Sequence, residues 1–370
     1  MKIALLTYST KPRGGVVHTL ALGEAFARAG HDVTVWALAR GGDTAFFRPV
    51  DEAVTVRLVP VPDVDGETVG ERILRSIAVL AEAFEGSFDV VHAQDCLTAN
   101  AVGRARGYVF PGGLWRTVHH LDQFTTPELA ACHERAITEP AALVSVSEAV
   151  AREVREGWDR SPVVIGNGVD AARFAAAAEA GAGAPWRERH GRYVLAVGGI
   201  EPRKGTLELV EAMALLGRPE VPLLVAGGDT LFDYRPYRDE VFARAAELGV
   251  EPVVLGPVDD AELPGLVAGA AVFAFPSTKE GFGLAAMEAL AAGVPLVTRD
   301  LPVLREVFAA AARFAEGPEG FADQIARVLD GTDPELDPAH ATVGRALAAA
   351  HTWDAAAAAH LERYRRGPAS

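Results

Sequence analysis

The sequence predicts an α/β protein with two doubly wound, parallel-sheet domains in tandem. At 370 residues, the chain is longer than the roughly 250 to 300 residues at which a single hydrophobic core stops growing. Its apolar runs are short and alternate with segments of helical spacing, which is typical of parallel strands covered by helices. A strand followed by a glycine loop and a helix begins at Ile3, and the same order begins again at Tyr193. Length and recurrence together favour two domains of one class.

The first half opens on a βαβ unit. It consists of a strand at 3–7, a loop with Gly14 and Gly15, a helix rich in Ala and Leu that ends near Gly30, and a strand at 33–38. Further strands are predicted at 54–61, 89–93, 114–119, 142–146 and 163–165.

Between the halves, residues 175–185 form the run AAAAEAGAGAP, whose small residues favour a surface insertion or linker over packed structure. The α/β pattern resumes after this run. Because ligands of such sheets bind beyond the carboxyl ends of the strands, functional residues are expected just after strands. Strands are predicted at 193–197, 221–226, 253–255 and 271–275, and helices at 206–216, 261–268 and 284–292.

The composition disfavours several classes of protein. Acidic residues outnumber basic ones 50 to 35, for a net charge of −15. Nucleic-acid binding depends on clustered Lys and Arg, so we expect no nucleic-acid partner. Cys96 and Cys132 form neither a disulfide framework nor a zinc motif. No apolar run has the length of a signal-peptide core or of a membrane span. We therefore expect a cytoplasmic protein with reduced thiols and no transmembrane segment.

The strongest functional signal is STKEGFGLAAMEALAAGVP at 277–295, directly after a predicted strand. Gly281 and Gly283 permit a tight turn whose amides face an anion, and the helix that begins near Leu284 adds its positive N-terminal end. Glu280 and Glu288 would lie roughly 12 Å apart along a helix, beyond the roughly 5 to 9.5 Å of a glycosidase acid pair. The spacing favours two grips on an extended ligand with a phosphate between them, which is the layout of a nucleotide sugar.

A second candidate is VGGIEPRKG at 197–205, also at a strand end. Its adjacent cations, Arg203 and Lys204, could hold a diphosphate and stabilise charge on a leaving group. A third is the glycine pair Gly14 and Gly15, for which turn geometry and ligand binding remain equally open. The dinucleotide fingerprint GxGxxG does not occur there, which disfavours an NAD enzyme.

Histidines follow another predicted strand. His119 is favoured as a residue that donates to a sugar hydroxyl or shuttles protons, whereas His120 is favoured as structural. The motifs HExxH, GxSxG and GxxxxGKS/T do not occur in the sequence, so a zinc protease, a serine hydrolase and a P-loop enzyme are disfavoured. Four other residues that follow strands stay open between structural and functional roles: His92, Asp95, Asn167 and Asp170.

Taken in order, these stretches resemble the retaining glycosyltransferases of family 4, also called group 1, over essentially the whole chain. The resemblance implies the GT-B fold, in which two Rossmann-like domains face each other across a cleft. It implies domains at 1–168 and 169–352, with a C-terminal helix at about 353–370 that packs back on the first. The matching stretches are GGV at 14–16, TVHHLD at 117–122, VSVSEAV at 144–150, IGNGVD at 165–170, PRKG at 202–205, and EGFGLAAME at 280–288, which matches the EX7E motif.

The resemblance also implies a role for each matching residue. Glu280 would hold hydroxyls of the donor sugar, Glu288 the ribose hydroxyls, and Arg203 with Lys204 the diphosphate. Family members often have Arg directly after the first glycine of the diphosphate loop, whereas this chain has Gly199. Arg203 would then supply the missing cation.

The remaining matches concern the turn and the first domain. In the turn that Gly281 begins, the amides of Phe282, Gly283 and Leu284 would bind the distal phosphate. His119 would face the donor sugar. Gly15 would lie near the phosphates and the acceptor.

For function, the resemblance implies transfer of a sugar from a nucleoside-diphosphate sugar to an acceptor hydroxyl, with retention at the anomeric carbon and without metal or other cofactor. The acceptor stays open among small molecules, saccharides and lipid-linked compounds, as do the donor base and the oligomeric state. Loops such as 41–47 are expected to select the acceptor, and the region of Gly227, Gly228 and Gly256 the base. Two alternatives stay open: a catalytically silent protein that binds nucleotide sugars, and a sugar-nucleotide epimerase or phosphorylase on the same fold.

Overall fold

A computed structural model describes residues 1–105, 112–121, 124, 126–228, 234–332 and 336–368. Asp122 of the predicted histidine motif lies outside these residues. The chain divides into two compact units, of which the first comprises 1–168 with 353–370 and the second comprises 169–352. Each unit is built around one parallel sheet, as the sequence predicts.

The strands of the first unit are β1 (Lys2–Thr7), β2 (Asp32–Arg40), β3 (Val54–Val61), β4 (Val90–Ala93), β5 (Leu114–Val118), β6 (Ala142–Ser145) and β7 (Val163–Val164). Within the described residues they form one parallel sheet in the order β3-β2-β1-β4-β5-β6-β7. The order reverses between β1 and β4, so ligands are expected beyond the ends of that pair. The helices are α1 (Gly14–Arg28), α2 (Val69–Ala83), α3 (Cys96–Arg104), α4 (Pro127–Thr138) and α5 (Glu148–Trp158).

The strands of the second unit are β8 (Val194–Val197), β9 (Leu223–Ala226), β10 (Val253–Gly256), β11 (Val272–Phe275), β12 (Leu296–Arg299) and β13 (Arg313–Ala315). The described part of this unit forms one parallel sheet in the order β10-β9-β8-β11-β12-β13, with its reversal between β8 and β11. Its helices are α6 (Ala171–Glu179), α7 (Ala184–His190), α8 (Thr206–Leu216), α9 (Arg235–Leu248), α10 (Leu263–Gly269), α11 (Leu284–Ala291), α12 (Pro302–Phe308), α13 (Gly317–Asp330) and α14 (Leu336–Ala350), with 3-10 turns at Pro202–Lys204 and Ala309–Ala311.

The continuous apolar runs of the sequence form the centre of each sheet. In β1, four successive side chains from Ile3 to Leu6 are fully buried. Successive side chains of a strand point to opposite faces, so both faces of this sheet are covered. A run without polar alternation therefore marks a central parallel strand.

The prediction of a surface insertion or linker at 175–185 is right in part: all of the run except Gly183 is exposed or half-buried, but it is helical and not a linker. This run contributes to α6 and α7, and Phe174 of α6 is buried in the second unit. A Cβ atom added at Gly183 would lie 2.5 Å from the backbone of Gly269, the last residue of α10. The small residue at position 183 thus allows close packing of helices, whereas the prediction disfavoured packed structure here.

The final helix, α15 (Trp353–Arg366), belongs to the first unit. The hydroxyl of Tyr364 lies 2.6 Å from Nδ1 of His92, whose Nε2 lies 2.8 Å from the hydroxyl of Thr117. His360 is also buried, and its Nδ1 lies 2.8 Å from the carbonyl of Ala356. Burial lowers the pKa of His360 to about 4. The helix is therefore fixed to the sheet through the hydrogen bonds of Tyr364 and His92.

We predict that Gly183→Ala destabilises the second unit by about 1 to 3 kcal/mol, because the new methyl group meets backbone atoms that cannot rotate away. The midpoint of urea unfolding measures the effect. Gly157→Ala is the matched control, since Gly157 lies in α5 with no atom within 4 Å of an added Cβ. That control should be neutral or stabilising by up to about 1 kcal/mol. Equal midpoints for the two variants would contradict the packing argument.

We predict that His360 makes the first unit sensitive to acid. Its pKa is about 4 in the folded protein and near 6.5 in the unfolded chain, so the unfolded state binds protons first as the pH falls below 6.5. This contribution to stability is present above pH 6.5 and is lost below it.

One such histidine accounts for about 2 kcal/mol of the stability lost between pH 7 and pH 5. Unfolding free energies at the two pH values should therefore differ by about that much less in His360→Asn than in the unaltered protein. An unchanged difference would refute the assignment.

Candidate functional site

Two segments of the second unit are held together at the reversal of its sheet. One is the loop after β8, which includes Gly198 and Gly199, and the other follows β11. Gly205 has φ +67°, and a Cβ atom there would lie 2.3 Å from the carbonyl oxygen of Pro276. The amide of Thr278 donates to the carbonyl of Arg203 at 2.8 Å. Only glycine at position 205 permits this approach.

This contact brings together three of the predicted site residues. Lys204 Nζ donates to Glu280 Oε1 at 2.5 Å, and Arg203 Nη1 lies 3.4 Å from the same oxygen. Arg203 Nη2 also lies 2.9 Å from Glu201 Oε1. The ammonium of Lys204 sits 5.4 Å from the ring centre of Phe275. Two cations and two carboxylates thus form one half-buried group, here called the ion cluster (Glu201, Arg203, Lys204, Glu280).

Gly199 lies beside the ion cluster. It lines a small hollow with Gly198, Lys204 and Ser277. The neighbouring backbone is tightly packed, because a Cβ atom at Gly227 would lie 2.2 Å from the carbonyl oxygen of Gly198 and 2.7 Å from the amide nitrogen of Gly199. Position 199 is a glycine, so the basic side chains of the loop at 198–205 are those of Arg203 and Lys204.

The glycine turn at 281–283 leads directly into α11. Gly283 has φ +97°, and a Cβ atom there would lie 2.9 Å from the ring of Phe308. Phe282 is buried, with its ring 5.8 Å from that of His351. The turn is therefore fixed by packing on both sides. Its amides, with that of Leu284, lie at the N-terminus of a helix, where N–H groups have no partner within the helix.

Glu288 lies in a different electrostatic setting from Glu280. Burial raises the pKa of its carboxyl to about 8, with Arg173 opposing this rise and the nearby Asp260 and Asp170 adding to it. Arg173 Nη2 is itself held by Asp260 at 2.9 Å. Glu280 thus lies against cations, whereas Glu288 is a desolvated carboxyl beside other acids.

In the first unit, Gly15 and His119 lie next to each other. A Cβ atom at Gly15 would be 3.7 Å from Nε2 of His119, which in turn lies 3.2 Å from Oε1 of Gln94. With Gln94 accepting, Nε2 carries the proton. The ring of His18 packs edge-on at 4.8 Å, and its Nδ1 donates to Asn167 Oδ1 at 2.9 Å.

His119 is neutral at physiological pH. Burial lowers its pKa well below 6.5, and the neighbouring His18 and Arg116 lower it further. A neutral imidazole with its proton on one nitrogen can donate one hydrogen bond and accept one. It is a poor acceptor of a full proton.

Each residue that the sequence left open has a local contact. His92 is held by Tyr364 and Thr117, and Asn167 accepts from His18. Asp95 caps α3 by accepting from the amide of Thr98 at 2.9 Å, and Asp170 caps α6 by accepting from the amide of Arg173 at 3.2 Å. The carboxyl of Asp95 also has a pKa raised to about 6 by burial.

Three residues beside the candidate site were missed from the sequence. Gln94 directly follows β4, so the strand-end rule could have found it. His18 lies one helical turn after Gly15 on the same face of α1. Arg299 ends β12, a strand that was not predicted; its Nε donates to the carbonyl of Pro276 at 2.9 Å, and its Nη2 lies 2.6 Å from Glu208.

The described residues contain no group of three His, Cys, Asp or Glu side chains that could hold a metal ion. Among the helices in the described ranges, none combines the length and apolarity needed to span a bilayer.

Comparison with known proteins gives matches in both units. Residues 12–173 match the model of Glycosyltransferase Family 4, and residues 186–341 match that of Glycosyl transferases group 1. A phosphatidyl-myo-inositol mannosyltransferase of Mycolicibacterium smegmatis is 31% identical over 96% of this chain and 90% of its own length. A glycogen synthase of Mycobacterium tuberculosis is 29% identical over 83% of this chain and 80% of its own.

Solved structures share the fold at low identity. Sucrose-phosphate synthase from Thermosynechococcus elongatus superposes with a TM-score of 0.80 at 21% identity, covering 99% of this chain and 98% of its own. The HepE protein of Anabaena, in complex with UDP-glucose, gives 0.76 at 20% identity, covering 98% and 99%. These matches confirm two Rossmann-like domains of the GT-B type. The two matched family models, together with the mannosyltransferase relative that is 31% identical, show that the chain belongs to the family 4, or group 1, glycosyltransferases.

Proposed function

We propose that the protein transfers a sugar, with retention at the anomeric carbon, from a nucleoside-diphosphate sugar to an acceptor hydroxyl. The observation that carries this proposal is the ion cluster, which puts Arg203, Lys204 and Glu280 in contact at the reversal of the second sheet. Sheet reversals are where doubly wound folds bind nucleotides. A relative named as a mannosyltransferase and a structural neighbour with bound UDP-glucose support a sugar nucleotide as donor.

The ion cluster can exchange its internal contacts for contacts with a donor. Phosphate oxygens would replace Glu280 as the acceptors of Lys204 and Arg203. The carboxylate of Glu280 would then be released to accept from hydroxyls of the sugar. Both exchanges keep charge-assisted hydrogen bonds, which are stronger than neutral ones.

Four other parts of the chain are proposed to contact the nucleotide sugar. The amides of 282–284 would bind the distal phosphate at the start of α11, and Glu288 within α11 would accept from the ribose hydroxyls. His119 would offer the sugar a neutral hydrogen-bonding group, and Gly15 would leave the start of α1 accessible to phosphate and acceptor.

The reaction needs no carboxylate nucleophile in this proposal. The bond from the anomeric carbon to the phosphate oxygen breaks, the bond to the acceptor oxygen forms on the same face, and the acceptor proton goes to the departing phosphate. Arg203 and Lys204 stabilise the charge that develops on the diphosphate. The low pKa of His119 agrees with this route, because that imidazole is too weak a base to take the proton.

A donor screen with two variants tests the function. Among UDP, GDP, ADP and TDP sugars, one should raise the thermal midpoint of the protein by mass action and support transfer to an acceptor. Glu288→Ala should weaken binding of that nucleotide roughly 10- to 100-fold, the worth of hydrogen bonds to a charged group. Glu280→Ala should mainly lower kcat, by about 100-fold or more, since its contacts serve the reacting sugar.

Glu251→Ala, which changes an exposed acid of the second unit, is the control and should match the unaltered protein. Normal binding and turnover in both site variants would show the assignment to be wrong. Donor binding without release of nucleotide would indicate a silent binding protein. Conversion without an acceptor, or activity that requires phosphate, would indicate an epimerase or a phosphorylase.

We also predict that nucleotide affinity depends on pH through Glu288. Its pKa is about 8 without ligand, and hydroxyl donors favour the ionised form. Binding below pH 8 must then release a proton, so affinity rises with pH by up to about tenfold per unit between pH 6 and 8. Titration calorimetry at pH 6, 7 and 8 measures the slope. Glu288→Gln should lose this part of the slope and keep the part due to the nucleotide phosphates; equal slopes would disprove the idea.

A further inference from the structure

Basic side chains gather at the carboxyl edge of the sheet of the first unit. Arg40 is the last residue of β2, and its Nη2 donates to the hydroxyl of Ser76 on α2 at 2.8 Å. Arg72 and Arg75 lie on the same helix, and both act electrostatically on Arg40. These three residues are here called the arginine cluster (Arg40, Arg72, Arg75). Strand β2 pairs with β1, which flanks the sheet reversal, so the cluster lies one strand from the expected ligand position.

The charges of this cluster are unequally compensated. Arg75 is neutralised by Glu67, which accepts from its Nε and Nη2 at 2.6 Å each. Arg40, by contrast, has a buried Nε for which the described residues provide no hydrogen-bond partner. Oδ1 of the nearby Asp95 accepts from the amide of Thr98, and its buried Oδ2 also lacks a hydrogen-bond partner among the described residues, so this carboxyl does not bond the Nε of Arg40. A buried guanidinium with an unused donor is costly unless an anion completes it.

Burial and then the charge of Arg72 are the main effects that lower the pKa of Arg40; Tyr8 and Asp95 oppose them, and Arg75 adds the smallest lowering effect. The same forces would favour a bound anion, which would relieve both the repulsion and the unmet hydrogen bond. The chain has a net charge of −15. Three neighbouring arginines near the expected ligand position are therefore an unusual local concentration of positive charge.

The surrounding loops connect this cluster to the acceptor side. The loop that begins after Arg40 is tied to the loop after β1, because Lys11 Nζ lies 2.7 Å from Asp43 Oδ1 and the amide of Phe47 donates to the carbonyl of Thr10 at 3.0 Å. The loop at 41–47 is the one expected from the sequence to select the acceptor. The donor diphosphate is already assigned to the second unit, so an anion here would be an additional one.

We propose that the arginine cluster binds a phosphate group of the acceptor, so that the acceptor is a phosphorylated molecule rather than a neutral sugar. The planar fork of a guanidinium matches both carboxylate and phosphate oxygens. Phosphate fits better here because a doubly charged anion suits several neighbouring cations. The phosphate could belong to a soluble sugar phosphate, a monoester with up to two charges, or to a phospholipid headgroup, a diester with one. Both present phosphate oxygens to the guanidinium groups. This inference rests on the proposed function, because only a transferase has an acceptor. The anion site itself can be tested without measuring transfer.

The first test measures binding of inorganic phosphate through the rise in thermal midpoint. All proteins carry Lys204→Gln, which weakens the proposed donor phosphate site. Arg40→Gln should lower the apparent phosphate affinity by roughly 10- to 100-fold, and Arg40→Lys should recover part of it. Arg152→Gln is the matched control, since Arg152 is an exposed arginine of α5, and it should bind as the parent does. Equal affinity in the Arg40→Gln and Arg152→Gln proteins would overturn the proposal.

Arg72→Gln provides a second variant if Arg40→Gln lowers the midpoint too far for titration. Arg72 is half-buried on the surface of α2, so its replacement spares the buried contact with Ser76. It should also weaken phosphate binding by roughly tenfold. Unchanged affinity in Arg72→Gln, with circular dichroism equal to that of the parent, would count against the cluster.

The second test asks which molecule carries the phosphate, in the protein without the Lys204 change. One arm compares glucose 6-phosphate with glucose, and the other compares phosphatidylcholine vesicles with and without phosphatidylinositol. A preference for either phosphorylated partner that Arg40→Gln abolishes supports the proposal and identifies the source. No preference in either arm overturns it. Sugar transfer to a phosphorylated acceptor at an unchanged rate in Arg40→Gln would reject this inference alone, whereas phosphate binding without any transfer would reject the proposed function alone.

Discussion

The close approach of Gly205 to Pro276 is the constraint on which the candidate site of the second unit depends. A side chain at position 205 would collide with the carbonyl of Pro276, and that same carbonyl accepts from Arg299. The loop after β8 and the segment after β11 are therefore fixed to each other. As a result, Lys204 contacts Glu280 across a sequence separation of 76 residues. The pairing of cation and acid follows from backbone geometry before any ligand is considered.

Much of the fold could be predicted from the sequence, because parallel strands buried on both faces leave apolar runs without alternation. The predicted strand at 54–61 matches β3, and the predicted helix at 206–216 matches α8. The strand-end rule also selected Lys204 and Glu280, which the structure brings into contact. The rule works because all strands of a parallel sheet end at the same edge. Residues that follow different strands then become neighbours in space.

The features that could not be predicted depend on contacts between distant parts of the chain. The run at 175–185 has the composition of a linker, and only the close packing of Gly183 against Gly269 reveals why its residues are small. The environment of Glu288 depends on Asp260 and Arg173, which lie in other elements. Composition describes one segment at a time, whereas burial and charge pairing depend on which segments meet.

Both units place a few cations at the carboxyl edge of their sheet, although the chain as a whole is acidic. A net charge of −15 repels anions at long range, but salt screens that repulsion beyond roughly 8 Å at physiological ionic strength. At contact distance, the few cations that the fold positions at strand ends determine where an anion can bind. Arg203 and Lys204 occupy the carboxyl edge of the second sheet, and Arg40 occupies that of the first. Binding of an anionic ligand by so acidic a chain would therefore be local, and it would depend on a small number of side chains at strand ends.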